Sequence, residues 1–185
     1  MTFSELREYI HHKLEILYPK NEINAFYFIL LEHYGKYSKA TILANSDTLL
    51  TEDIAQPILQ AIRELQTAKP IQYILGETEF FSNRFFVNEN VLIPRPETEE
   101  LVDWVLQEYP DKSEKIKILD VGTGSGCIAI SLAKALPNAV VTAIDVSEGA
   151  LKVAKRNAEL NSVVTHFLQQ DILRIETLPN KYDNH

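Results

Sequence analysis

The sequence predicts an α/β protein built in sections: an N-terminal helical bundle over residues 1–69, a β-hairpin linker over 70–93, and part of a parallel α/β domain over 94–185. Three observations carry that reading. Apolar residues recur three or four apart through the first third of the chain, aromatic and β-branched residues alternate with polar ones over 71–91, and from Ile116 the rhythm is strand, glycine turn, helix, strand, helix, strand. The last pattern is the mark of a parallel sheet with crossover helices.

Each element has its own grounds. Phe3, Leu6, Ile10, Leu14 and Leu17 line one face of a helix that ends before Pro19. Asn21 stands where it can cap a second helix over 22–34, and Gly35 is expected to take the left-handed conformation after it. A short helix at Lys39–Ala44 and a longer one over 52–67 complete the bundle, with Pro57 implying either a kink or a later start. At 91–96 the sequence VLIPRP holds the chain extended before a helix that opens with Glu97, Glu99 and Glu100 and buries Leu101, Val102, Val105 and Leu106. Strands are expected at 116–121, 139–144 and 163–168, with helices near 127–136 and 148–161 between them.

Composition removes several function classes. The net charge is −8 with the positive residues scattered, so direct binding to a nucleic-acid backbone has little electrostatic drive. The single cysteine, Cys127, offers no internal disulfide and no structural zinc site, and it reads as a small packing residue at a helix start. His11, His12, His33 and His166 lack ligand-like or triad-like neighbours in sequence, so no metal is expected. The polar, amphipathic start and the absence of a membrane-length apolar run make a cytoplasmic protein the expectation. Composition says nothing of the oligomeric state.

The strongest local signal is Asp120-Val121-Gly122-Thr123-Gly124-Ser125-Gly126, set between an apolar strand and an apolar helix. Glycines let the backbone turn sharply and let a ligand approach without meeting a Cβ, while a helix start offers N–H groups to polar ligand atoms. Asp145 follows Gly122 by 23 residues at the end of the next strand, near the spacing at which an acid receives ribose hydroxyls. Read alone, Asp145 is equally a cap for Ser147. A dinucleotide site is the competing reading, but the third small residue of that fingerprint would fall at Cys127, and Asp120 puts negative charge where a pyrophosphate would lie. An acid there suits the cationic sulfonium and amino groups of S-adenosylmethionine. Asp171, after the third strand, stands where a carboxylate could meet an adenine amino group with Ile172 over the ring, and a turn or cap role is equally open.

PIQYILGETEFF (70–81), VLIPRPETEELV (91–102), ILDVGTGSGCIAISLA (118–133) and AIDVSEGALKVAKRNAELN (143–161) together resemble the HemK/PrmC family of release-factor glutamine methyltransferases over nearly the whole chain. The glycine motif is common to many methyltransferases, whereas RPETE joined to it at this spacing is specific. The resemblance implies a bundle that helps hold a protein substrate, and a Rossmann-like S-adenosylmethionine-dependent methyltransferase domain. It implies that Gly122, Thr123, Gly124, Ser125, Gly126 and Asp145 bind the cofactor, that Asp171 and Ile172 flank its adenine, and that Arg95, Pro96, Glu97 and Thr98 border the methyl-transfer pocket. The expected reaction is methylation of a glutamine side-chain amide in a peptide chain release factor, with no metal.

The family also carries Asn-Pro-Pro-Tyr after its fourth strand, which holds the substrate amide. Here the sequence reads Asn180-Lys181-Tyr182-Asp183-Asn184-His185, and that motif is absent. The expectation is therefore an incomplete enzyme with no catalytic residue in this chain, unable to transfer the methyl group alone, its strand at 116–121 left as an edge. A non-catalytic module binding a release factor or the cofactor is the alternative, and a nucleotide-dependent oxidoreductase a distant third.

Overall fold

The computed structural model describes residues 1–174, and the chain divides between Leu75 and Gly76 into two compact units.

The first unit is helical. Helix α1, Phe3–Leu14, is opened by a capping box in which the Thr2 hydroxyl accepts from Glu5 N and the Glu5 carboxylate accepts from Thr2 N, satisfying two groups that a helix start leaves orphaned. Helices α2 (Lys20–Gly35), α3 (Lys39–Ala44), α4 (Glu52–Leu65) and the short α5 (Ile71–Leu75) follow. Phe3, Leu6, Ile10 and Leu14 of α1 meet Ile23, Leu30 and Leu31 of α2 and Ile58, Ile62 and Leu65 of α4 in one apolar core. All are essentially sealed from solvent, and each such side chain contributes about 1.5–3 kcal/mol of burial. Tyr18 and Tyr27 place their rings in the apolar region and donate their hydroxyls to the carbonyls of Leu65 and Phe3.

The structure differs from the expected boundaries at five places. Helix α1 ends at Leu14, and the following turn leaves Leu17 half-exposed while Tyr18 points inward. Helix α2 starts at Lys20, before Asn21, with Pro19 at its cap. Gly35 is helical, and Lys36 takes the left-handed conformation at φ 56°. Gly35 is required for another reason: a Cβ there would lie 2.3 Å from the Tyr37 ring, which packs edge-on against Phe3. Helix α4 runs through Pro57 from Glu52, so the later start does not occur. Residues 71–75, expected as the start of the hairpin, form helix α5 instead.

The second unit starts with an antiparallel hairpin, β1 (Glu77–Phe80) and β2 (Asn83–Phe86), joined through Phe81 and Ser82, both at positive φ. A two-residue turn of that hand matches the strand twist but normally asks for Asn-Gly. Here Phe81 N donates to the Glu99 carboxylate at 2.9 Å and Asn83 Nδ2 donates to Phe81 O, which hold the unusual residues in place.

Helix α6 spans Glu97–Glu108. It buries Val102 completely and packs Val105 and Leu106 against the core with Phe80 and Phe85. Leu101, expected on the buried face, is 44% exposed, and the exposed Trp104 lies on the same helix. Strands β3 (Lys117–Val121), β4 (Val140–Asp145) and β5 (His166–Gln169) then form a parallel sheet in the order β3-β4-β5, with helices α7 (Cys127–Ala135) and α8 (Glu148–Leu160) as crossovers. Among the described residues β3 and β5 are therefore the outer strands. No helix of the described residues is long and apolar enough to cross a membrane.

Candidate cofactor site

Parallel order places the carboxyl ends of β3, β4 and β5 side by side, so the segments after them share one edge of the sheet. Such edges are where open α/β folds bind ligands. The glycine turn follows β3, Asp145 closes β4 and Asp171 follows β5.

The turn is tied to β4 by backbone and side chain together. Gly122 N and Thr123 N both donate to Ile144 O, at 2.9 and 3.0 Å, and Gly126 N donates to Thr123 O at 2.8 Å. Asp145 uses both oxygens: Oδ2 accepts from Gly124 N and Oδ1 from Ser147 N, each at 2.9 Å. Ser147 itself caps α8 by accepting from Ala150 N. The cap role read for Asp145 is thus present, joined to a second role as brace of the glycine turn. A carboxylate has about four acceptor positions, so two N–H bonds leave capacity for ligand hydroxyls.

The three glycines do different work. Gly122, Gly124 and Gly126 all have positive φ, between 55° and 81°. A Cβ on Gly122 would meet open space and one on Gly124 only the Gly122 carbonyl at 4.0 Å, whereas one on Gly126 would come 2.9 Å from Ile130 and 3.1 Å from the Ala154 methyl. The first two leave the surface of the turn open, and the third lets the start of α7 lie against α8.

Asp120 sits beneath the turn and accepts from the Thr123 hydroxyl at 2.7 Å. Burial raises its carboxyl above the usual range, the Thr123 bond opposes that, and the nearby Asp145 carboxylate adds to the rise. A half-buried acid beside a second acid favours a positive ligand group and disfavours an anionic one. Cys127 is buried one residue beyond the loop, and desolvation pushes its thiol up to about 11, so it is a packing residue and not a nucleophile.

Asp171 is engaged locally. Its Oδ1 accepts from Leu173 N, its Oδ2 pairs with Arg174 at 3.2 Å, and it caps the 3-10 turn Ile172–Arg174. Ile172 is 40% exposed beside it. Arg95, Pro96 and Glu97 are exposed and Thr98 half-buried at the start of α6, where Thr98 N donates to Arg95 O and Glu99 N to Pro96 O. In that acidic run the acid that binds the hairpin is Glu99, which sequence reasoning passed over. Residues 180–185, read as the entry to a fourth strand, lie outside the described residues. Among the described residues no group of three His, Cys, Asp or Glu side chains could hold a metal.

A separate cavity of about 590 Å³ lies on the helical unit. It sets Arg7 and His11 against Glu8 and Glu15, and Arg7 and His11 both bond to Asn24. It lacks the turn's backbone donors and open glycines, and the turn is the better founded site.

The chain is similar to known proteins along most of its length. Residues 5–76 match the PrmC N-terminal domain and residues 112–184 match a methyltransferase domain. The release factor glutamine methyltransferase of Flavobacterium psychrophilum is 45% identical over 99% of this chain and 65% of its own length. That of Bacteroides thetaiotaomicron is 42% identical over 91% of this chain and 60% of its own. A Pyrococcus abyssi tRNA (uracil-54, C5)-methyltransferase solved with S-adenosyl-L-homocysteine is 28% identical over 50% of this chain and 22% of its own, with a TM-score of 0.41. The chain thus spans somewhat less than two thirds of the length of the curated relatives it matches. With residues 5–76 matching the PrmC N-terminal domain and a release factor glutamine methyltransferase 45% identical over 99% of this chain, the chain belongs to the HemK/PrmC family.

Proposed function

We propose that this protein is an S-adenosylmethionine-dependent enzyme of the cytoplasm that methylates the side-chain amide of a glutamine in a peptide chain release factor. The observation that carries the reading is the glycine turn braced by Asp145 and joined through Thr123 to the half-buried acid Asp120. When bound, the cofactor supplies an electrophilic methyl group on a sulfonium.

The chain's own residues hold and orient. Gly122, Thr123, Gly124, Ser125 and Gly126 form the bed, Asp145 receives the ribose hydroxyls, and Asp120 provides the charge complement to the cationic end. Asp171 and Ile172 flank the adenine, and Arg95, Pro96, Glu97 and Thr98 border the pocket for the glutamine. An amide nitrogen is a weak nucleophile because its lone pair is delocalised, so alignment must supply much of the rate, worth about 7–11 kcal/mol in well-oriented systems. The sequence has no Asn-Pro-Pro-Tyr segment to hold the amide, and no residue here is assigned that role.

The test uses labelled S-adenosylmethionine, a release factor, and this chain carried on through an Asn-Pro-Pro-Tyr segment. Label on one release-factor glutamine, lost when that glutamine is replaced by alanine, is expected. Tight S-adenosylhomocysteine binding with no transfer would reduce the protein to a cofactor-binding module.

A further inference from the structure

Helix α8 is the common bed for two segments that belong to different steps of the proposed reaction. On it, Asn157 is completely buried. Its Oδ1 accepts from Phe86 N at 2.6 Å, and its Nδ2 donates to Phe86 O and to Ser125 O, both at 2.9 Å. One turn later Asn161 Nδ2 donates to Arg84 O at 3.0 Å. Two strand residues rise about 6.6 Å and four helix residues about 6.0 Å, so asparagines at i and i+4 match alternate residues of β2. The helix thereby takes the place of a third strand on the outer edge of the hairpin.

Asn157 differs from Asn161 in reaching a second target, the carbonyl of Ser125 within the glycine turn. Two further packings fix the same bed. Gly126 lies against Ala154, and a Cβ on Gly149 would come 2.8 Å from Asn90 in the segment that leads from β2 to Arg95. Cofactor turn, hairpin edge and the approach to the pocket border all rest on one helix, and Asn157 alone among the bonds described above joins the first two.

We infer that Asn157 is a positioning residue that couples occupancy of the glycine turn to the order of β2 and of the segment running toward Arg95–Thr98. Cofactor binding steadies the Ser125 carbonyl, Asn157 transmits that to Phe86, and the wall of the substrate pocket is set only when the methyl donor is in place. The inference rests on the reading of the turn as the S-adenosylmethionine site.

Hydrogen exchange by mass spectrometry on the 185-residue chain, with and without S-adenosylhomocysteine, tests it. In the unmodified chain the ligand should slow exchange both at 122–126 and at 83–91. Asn161→Ala should speed exchange at 83–91 yet leave ligand-induced protection of both segments. Asn157→Asp, which turns an oxygen toward two carbonyls, should weaken binding on the order of tenfold and protect 122–126 without protecting 83–91.

Protection of the turn with an unaffected hairpin in the unmodified chain would overturn the coupling without needing any variant. A folded Asn157→Asp chain that still shows ligand-dependent protection at 83–91 would do the same. No protection at 122–126 would instead remove the underlying assignment of the cofactor site.

Discussion

Replacing Asp145 by alanine separates the brace from the binding role. The carboxylate accepts two backbone N–H groups at 2.9 Å, from Gly124 in the turn and from Ser147 at the head of α8. Bonds to a charged acceptor contribute about 1.5–3 kcal/mol each where they are sheltered. Asp145 is only partly buried, so the combined loss in folding stability is expected at about 1–3 kcal/mol. Loss of the ribose acceptor should weaken S-adenosylhomocysteine by a further ~1–3 kcal/mol, or about 5- to 150-fold in Kd. Urea unfolding gives the first quantity and calorimetric titration of the still-folded variant gives the second. Asp145→Asn keeps one acceptor and should fall between alanine and the unmodified chain on both. A variant with lowered stability and unchanged affinity would show that Asp145 only holds the turn. A variant unchanged in both would refute the geometry on which the site is built.

Other expectations follow from neighbouring residues. Gly126→Ala puts a methyl group into Ile130 and Ala154 at φ 81°, and should cost about 2–4 kcal/mol in urea unfolding. Gly124→Ala, at φ 55° with only the Gly122 carbonyl at contact distance, should cost about 1–2 kcal/mol and lose affinity for S-adenosylhomocysteine out of proportion to its stability. Asp120 has its carboxyl raised above 3.8 by burial. The folded state therefore binds the proton more tightly than the unfolded one, and Asp120's contribution to stability is full below pH 3.8 and declines as pH rises through the raised value. Asp120→Asn should thus be more stable than the parent at neutral pH, an advantage that shrinks on acidification, while its preference for the sulfonium cofactor over S-adenosylhomocysteine, whose sulfur is neutral, falls. Cys127, its thiol pushed up to about 11, should react with a thiol reagent at pH 8 only at the rate of unfolding.

The parallel sheet and its glycine turn were legible because strand, turn and helix there each obey a local rule. β-branched and apolar runs end in glycines and an acid, and the structure shifts the strand starts by one to three residues while keeping their order. What escaped was set by residues far apart in sequence. Gly35 reads as a helix terminator, but it is demanded by the Tyr37 ring, and Lys36 takes the left-handed position. Ile71 to Leu75 carry β-branched and aromatic residues, yet Pro70 O accepts from Tyr73 N and Ile74 N and a helical turn forms. Residues 157 and 161 look like ordinary polar positions on α8, and only the hairpin edge beside them reveals their use. The Phe81-Ser82 turn carries no glycine to announce it, and its support from Glu99 lies 18 residues away.

The turn at 122–126 is proposed to take a cationic adenosyl ligand and not a pyrophosphate, and calorimetric titration of the 185-residue chain separates the two. S-adenosylmethionine and S-adenosylhomocysteine should bind at one site, NAD should give no heat of binding, and Asp145→Ala should weaken the first two together. Binding of NAD with no response to either adenosyl-sulfur ligand would instead make the turn a dinucleotide site.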